Sequence, residues 1–225
     1  MAALAAYSVN PGGTGSAVHA HAVRSEAVHA HSESPDRAAL AAYNVNPNST
    51  GAAAFAKKEG ETGHAGFFAG DVHVTSDLSV QGDVVVTGDM VLPGADYAEE
   101  MTAGPGEVSP GTVVVIDEAG QVQPCTDEYD SRVAGVVSGG NNVRSGLVLD
   151  RQEEGVPVAL MGKVWVLADA GDHSIRAGDM LTTSARSGHG QRVTEPSPAF
   201  GAIIGKALTD LSSGRGMVRI LVTAS

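Results

Sequence analysis

The chain has 225 residues and a formal net charge of −12; 42% of it is hydrophobic but only 4% aromatic, with 29 glycines, 10 prolines and a single cysteine. That acidity argues against a nucleic-acid backbone as partner and for solubility, and a lone Cys125 excludes an intrachain disulfide framework. No apolar run reaches the length of a membrane span, and the scarcity of aromatics points to short, closely stacked strands rather than a large aromatic core.

Residues 1–69 carry a long repeat: AALAAYSVNPGGTGSA at 2–17 returns as AALAAYNVNPNSTGAA at 38–53, 36 residues on. The VNP-x-x-TG part of each copy is rich in turn formers. AALAA favours helix, but so short a helix is marginal without partner chains. We read 1–69 as a repeat-containing shaft or attachment region, with a disordered low-complexity tail as the alternative. The start, MAALAAYSVNP, lacks the basic segment and apolar core of a signal peptide, which predicts synthesis in the cytoplasm without one.

Between the two copies lie His19-Ala-His21 and His29-Ala-His31. An i, i+2 spacing puts both imidazoles on one face of an extended chain. Two histidines make a weak site, but three copies around a three-fold axis would supply an octahedral set of imidazole nitrogens. Such a set suits iron or another transition metal better than a four-coordinate structural zinc. The alternative is histidines that face solvent or stack in a narrow shaft.

Residues 70–93 are four consecutive hexads, GDVHVT, SDLSVQ, GDVVVT and GDMVLP. Each reads small–Asp–apolar–x–apolar–x, so Val72 and Val74, Leu78 and Val80, Val84 and Val86, and Met90 and Leu92 share a strand face within their hexads. The Gly/Ser-Asp step supplies a corner. A single-chain solenoid with three faces per turn would be barely longer than one turn here and could not close a core. If each of three chains supplies one face, the four hexads become four complete layers. The expectation is a homotrimeric triple-stranded β-helix shaft with those eight residues as its core.

Residues 94–106 (GADYAEEMTAGPG) read as an acidic, solvated neck, and 107–225 as an all-β barrel or sandwich head. Candidate strands are 112–116, 132–137, 156–161, 163–167, 180–183, 202–207 and 217–222, separated by Gly-, Asn- and Ser-rich turns. The head also looks duplicated: VSPGTVVVI resembles IRAGDMLTT, pairing Gly111 with Gly178, and RVAGVV resembles AIIGKA, pairing Gly135 with Gly205. No nucleophile elbow surrounds Ser109, Ser138 or Ser184, Cys125 reads as an ordinary thiol in a polar loop, and no phosphate loop is present. The head is therefore expected not to be an enzyme. Contact residues are expected in the polar loops 139–145 and 184–192, namely Asn141, Asn142, Arg144, Arg186, His189 and Arg192. Trp165 and Tyr129 are the aromatic candidates for an exposed binding platform.

The succession GD-hexads, LPGADYAEE, SPGTVVVID, YDSRVAGVVSG, VPVALMGKVWV, IRAGDMLTTS and AFGAIIGKAL resembles a bacterial and phage family of tail-fibre-like proteins over roughly residues 65–225. The His-x-His pairs likewise resemble the iron sites of trimeric phage fibres and spikes. The resemblance implies a structural fibre of a phage or of a phage-tail-like contractile injection particle. Its partners would be two further copies of itself, other particle, baseplate or capsid proteins, and a cell-surface glycan or protein. Neither nucleic acid nor a membrane span is expected among the partners, given the acidity and the short apolar runs. Parts of the head also resemble capsid decoration proteins, and the GADYAEE junction resembles fibres with an autoproteolytic intramolecular-chaperone domain; both remain alternatives.

Overall fold

The structure, a computed structural model, describes residues 18, 20–23, 26–36, 38–59, 62–152 and 154–222. The chain divides into two units, Met1–Gly82 and Asp83–Ser225. No helix among the described residues is long and apolar enough to cross a membrane.

The first unit contains no helix or strand among its described residues. In the second copy of the long repeat, VNPNSTG does form a turn. The Ser49 amide donates to the Asn46 carbonyl at 3.0 Å, and the Asn44 amide group donates to Ser49 Oγ at 2.8 Å and to the Gly51 carbonyl at 2.9 Å. The first copy lies outside the described residues.

The hexads have a six-residue rhythm in the backbone. Bends fall at 69–70, 75–76, 81–82 and 87–88, with extended chain between them. The corner is thus the residue before each Gly or Ser together with that Gly or Ser, one position earlier than the Gly/Ser-Asp step. Without a neighbour to bond, none of this extended chain forms a ladder. Val74, Val80, Val86 and Leu92 are 43–47% exposed and Val72, Leu78, Val84 and Met90 are 60–75% exposed, whereas the intervening Val85 and Val91 reach 85–86%.

The second unit is all-β apart from one 3-10 turn, Gly140–Asn142. Its strands are β1 (Asp96–Thr102), β2 (Val113–Ile116), β3 (Val122–Pro124), β4 (Val133–Val137), β5 (Leu147–Leu149), β6 (Gly155–Asp169), β7 (Met180–Thr183), β8 (Gly190–Arg192), β9 (Ile203–Ala207) and β10 (Arg215–Val222). The apolar runs at 156–161 and 163–167 are one continuous strand, because Gly162, at φ 105°, bends β6 without ending it. The segment read as a solvated neck is instead β1, antiparallel to β6 along its whole length. Alternation explains the error: Asp96, Ala98 and Glu100 share the inward face, and all three are buried.

The pairings form two rings of five strands. The second ring, β6–β10–β9–β7–β8, closes into a barrel through the parallel Ala168–Gly190 pair. The first, β1–β6–β4–β2–β3, repeats that order and is closed by a parallel bridge between Ala103 and Val122. β5 adds to the outside of β1. The duplication read from the glycines thus covers the whole head. Gly111 donates to Val137 at 2.8 Å as Gly178 does to Ala207 at 2.8 Å, and Val137 donates to Thr112 as Ala207 does to Asp179, both at 2.9 Å. Both β2 and β7 slip register at the same place, next to the Val114–Gly135 and Leu181–Gly205 pairs.

Each ring has an apolar filling, and the first also packs against the second. Val114, Val122, Val137 and Val158 form one cluster. The neighbouring side chains Val113, Val115, Val136 and Ala159 point the other way and join the core of the second ring, with Leu181, Ile204, Val218 and Ile220. β2 is therefore buried on both faces, which is why its sequence is a run of valines rather than an alternation. Complete burial of each such side chain stabilises the fold by about 1.5–3 kcal/mol.

Gly135 and Gly205 sit at matching crossings with φ of 151° and 153°. A β-carbon on Gly135 would lie 2.6 Å from the Ala159 carbonyl oxygen, and one on Gly205 would collide with that of Leu221. Gly135→Ala and Gly205→Ala should each destabilise the head by about 1–3 kcal/mol, read as a lower denaturation midpoint. Gly120→Ala, in a left-handed turn with open space around it, should cost only the backbone strain of its φ of 77°.

Candidate functional site

A cleft of about 560 Å³ opens in the head beside the second ring. The β6–β7 connection contributes Ala170, Asp172 and His173, following Asp169 at the end of β6. The segment after β7 contributes Ser184, Ala185 and Arg186, and β8 and its extension contribute Gln191, Arg192 and Thr194. Glu128 enters from the first repeat. Arg186 Nε donates to Asp169 Oδ2 at 2.8 Å. Arg192 Nη1 donates to the Ser174 carbonyl at 3.1 Å and stands 4.0 Å from Asp179.

A second cleft, about 490 Å³, takes the corresponding place in the first repeat. Its residues Pro105, Gly106 and Glu107 match Ala170, Gly171 and Asp172 when the ring-closing Ala103 and Ala168 are aligned. Gln123, Pro124 and Thr126 match Gln191, Arg192 and Thr194 when Val122 and Gly190 are aligned. Those six positions correspond, but the rest of the linings differs: Ser109, Thr112, Leu167, Ser187 and Gly188 in the first cleft, and Glu128, Asp169, His173, Ser184, Ala185 and Arg186 in the second. Glu107 is the one ionisable residue lining the first, whereas Glu128, Asp169, Asp172, Arg186 and Arg192 line the second, with His173.

Of the six expected contact residues, the structure brings Arg186 and Arg192 together in this cleft. His189 does not line it; its Nδ1 lies 2.7 Å from the Ser187 carbonyl. Asn141, Asn142 and Arg144 are exposed on a different loop, where both asparagines adopt left-handed φ values of 53° and 59°. Of the cleft's other polar members, Ser184 and Gln191 fall in the expected loop 184–192 without being singled out as contacts, and Glu128, Asp169, Asp172, His173 and Thr194 were missed. The signal for them was the duplication itself, which aligns Gln191 and Thr194 with an identical Gln123 and Thr126.

The other candidates resolve as follows. Cys125 is fully buried in the core rather than in a polar loop, and burial pushes its thiol pKa up, the opposite of an activated nucleophile. Ser138 is buried and donates to Asp96 Oδ1 at 3.0 Å; Ser145 Oγ lies 2.7 Å from Ser138 Oγ and donates to Asp96 Oδ2 at 3.2 Å. This cluster ties loop 139–145 to β1. Trp165 is half-buried on β6. The Tyr129 hydroxyl accepts from the Thr194 and Glu195 amides at 3.0 and 3.1 Å, so it fixes that loop. The most exposed aromatic of the head is Phe200, at 93%, which the sequence reading passed over.

His19 lies outside the described residues. His21, His29 and His31 are exposed, and His29 Nδ1 stands 2.7 Å from Glu26 Oε2. Among the described residues no three His, Cys, Asp or Glu side chains converge as metal ligands. No protein-family model and no curated protein matches the chain.

Two buried carboxylates give the head opposite pH responses. Burial raises the Asp96 pKa above 3.8, only partly offset by its serine hydrogen bonds. Its folded form holds a proton more tightly than the unfolded chain does, so its contribution is greatest below pH 3.8 and is lost as pH rises through the folded value. The Arg132 hydrogen bonds hold Asp130 below 3.8. That contribution is present above pH 3.8 and lost as pH falls through the folded value. In thermal melts from acid to neutral pH, Asp96→Asn should keep or raise the midpoint at neutral pH. Asp130→Asn should lower it there, by about 1 kcal/mol or more.

Proposed function

We propose that the chain is a structural fibre or appendage protein, a homotrimer whose hexads form a triple-stranded β-helical shaft and whose duplicated barrels form an interaction head. The observation that carries this reading is the state of the hexads in a single chain. Their bends recur every six residues, yet eight apolar side chains stay 43–75% exposed and no ladder partner exists among the described residues. Gly82 and Gly88 support it further. A β-carbon at either position would meet nothing within 4 Å, so a single chain gives no steric reason for glycine there. Close approach of further copies would supply one.

The fibre would serve a phage or a phage-tail-like contractile injection particle, with the head touching a cell surface. For the head, an interaction role fits better than catalysis, because its cysteine is sequestered and its buried serines are committed to loop-tying hydrogen bonds. Three chains that bury a shared core fold and associate together.

Native mass spectrometry of the full chain should give a trimer that persists on dilution. A folded, stable monomer would overturn the fibre. Val84→Asp should abolish the trimer, because it introduces a buried unpaired charge from every copy.

On the same reading, each His-Ala-His pair would meet its two copies at the axis. Elemental analysis of untagged protein should then find about two transition-metal ions per trimer. A metal-free trimer would remove the metal and leave the fibre standing.

A further inference from the structure

We propose that the cleft beside the second ring is a saccharide subsite that takes a neutral, polyhydroxylated ring, and that the matching cleft of the first repeat is not. The proposal rests on the reading of the head as an interaction knob and specifies where and with what it interacts.

The duplication supplies an internal control. Both rings fold with the same strand order and the same ring-closing parallel pair, and their clefts share six matched lining positions. The first repeat achieves this with Pro105, Gly106 and Pro124 where the second has Ala170, Gly171 and Arg192. Closing a ring therefore does not require the charged side chains of the second cleft. The polar groups of that cleft that are not already paired are free to meet a ligand, and the first cleft has no counterpart of Arg186 or Arg192.

Their chemistry selects the ligand class. Glu128, Asp169 and Asp172 outnumber Arg186 and Arg192 in the lining. Arg186 is already matched to Asp169 at 2.8 Å, and Arg192 donates to the Ser174 carbonyl. A phosphate, sulfate or carboxylate ligand would enter against that balance. The carboxylates do not converge on a cation position either. What remains is a set of unpaired donors and acceptors lining one cleft. The two Arg186 Nη groups and the Gln191 amide can donate, while Glu128 and Asp172 can accept; none of these groups has a hydrogen-bond partner among the described residues. A sugar hydroxyl donates and accepts at once, and neighbouring hydroxyls match a side-by-side acceptor and donor such as Asp169 and Arg186. At about 560 Å³ the cleft falls within the roughly 300–1,000 Å³ of small-molecule sites. No Phe, Tyr or Trp lines it. Single-site affinity is therefore weak, and useful attachment depends on several copies binding one polysaccharide.

The test is saturation-transfer NMR on the full chain with glucose, galactose, mannose and N-acetylglucosamine, and separately with sialic acid and inorganic phosphate. At least one neutral sugar should show transfer. Arg186→Ala and Gln191→Ala should each weaken its binding about tenfold, and Gln123→Ala, in the first cleft, should leave it unchanged. Arg186 is half exposed, so its replacement leaves the fold intact, which circular dichroism checks. No transfer from any of the four sugars overturns the proposal. So does binding of only the anionic probes, or an equal loss with Gln123→Ala. A monomer that binds the sugar would sink the fibre and keep this site, whereas a trimer that binds none would do the reverse.

Discussion

The head is organised by a strand that belongs to both rings. The first half of β6 pairs with β1 and β4, and its second half pairs with β10 and β8. A single 15-residue strand thus fixes the orientation of two barrels with no linker between them. The constraint acts at Gly162, where the strand passes from one ring to the other. A β-carbon there would lie 2.7 Å from the Ala95 carbonyl oxygen and 2.8 Å from the Asp96 α-carbon. Because the barrels share a strand, the first ring's outer side chains become core for the second. The valine runs of β2 and β4 follow from that sharing.

Once the scaffold is doubled, its two copies need not carry the same surface. Prolines and glycines in the first cleft stiffen or tighten the connections around the ring. The second cleft keeps the shared Gln and Thr and adds ionisable groups. Charged side chains at a rim position cost little where solvent still reaches them, so the fold tolerates either filling. The two copies can therefore differ in surface without differing in strand order.

Much of the head was legible because its strands are punctuated by turn residues and its duplication by glycines. Met180–Thr183 was placed as found, and β2, β4, β9 and β10 within one or two residues. What escaped has physical causes. β3, β5 and β8 are three residues long, too short for a period to register. β1 hides behind two acidic side chains that its alternation turns inward. Cys125 sits after a proline in a polar-looking stretch, and only the contact between repeats buries it. The contact residues were sought loop by loop, whereas the cleft draws on four separate segments. Only the two arginines that fall in one loop could be grouped in advance. The hexads were legible as a period and as an apolar pattern; their corner was displaced by one residue because bend position depends on backbone, not on the Asp.

The shared strand also sets an order of events during synthesis. Every strand of the first ring has been synthesised once the first half of β6 is made, whereas the second ring must wait for β10 at residues 215–222. Domains tend to fold N-terminal part first as the chain emerges. In the interval the first ring would present Val113, Val115, Val136 and Ala159, the face later covered by the second ring, to the surrounding solution. That unfinished state is an apolar template awaiting its own continuation. It is the point at which the nascent chain is most exposed to pairing with the wrong neighbour, and the second ring acts as its permanent cover.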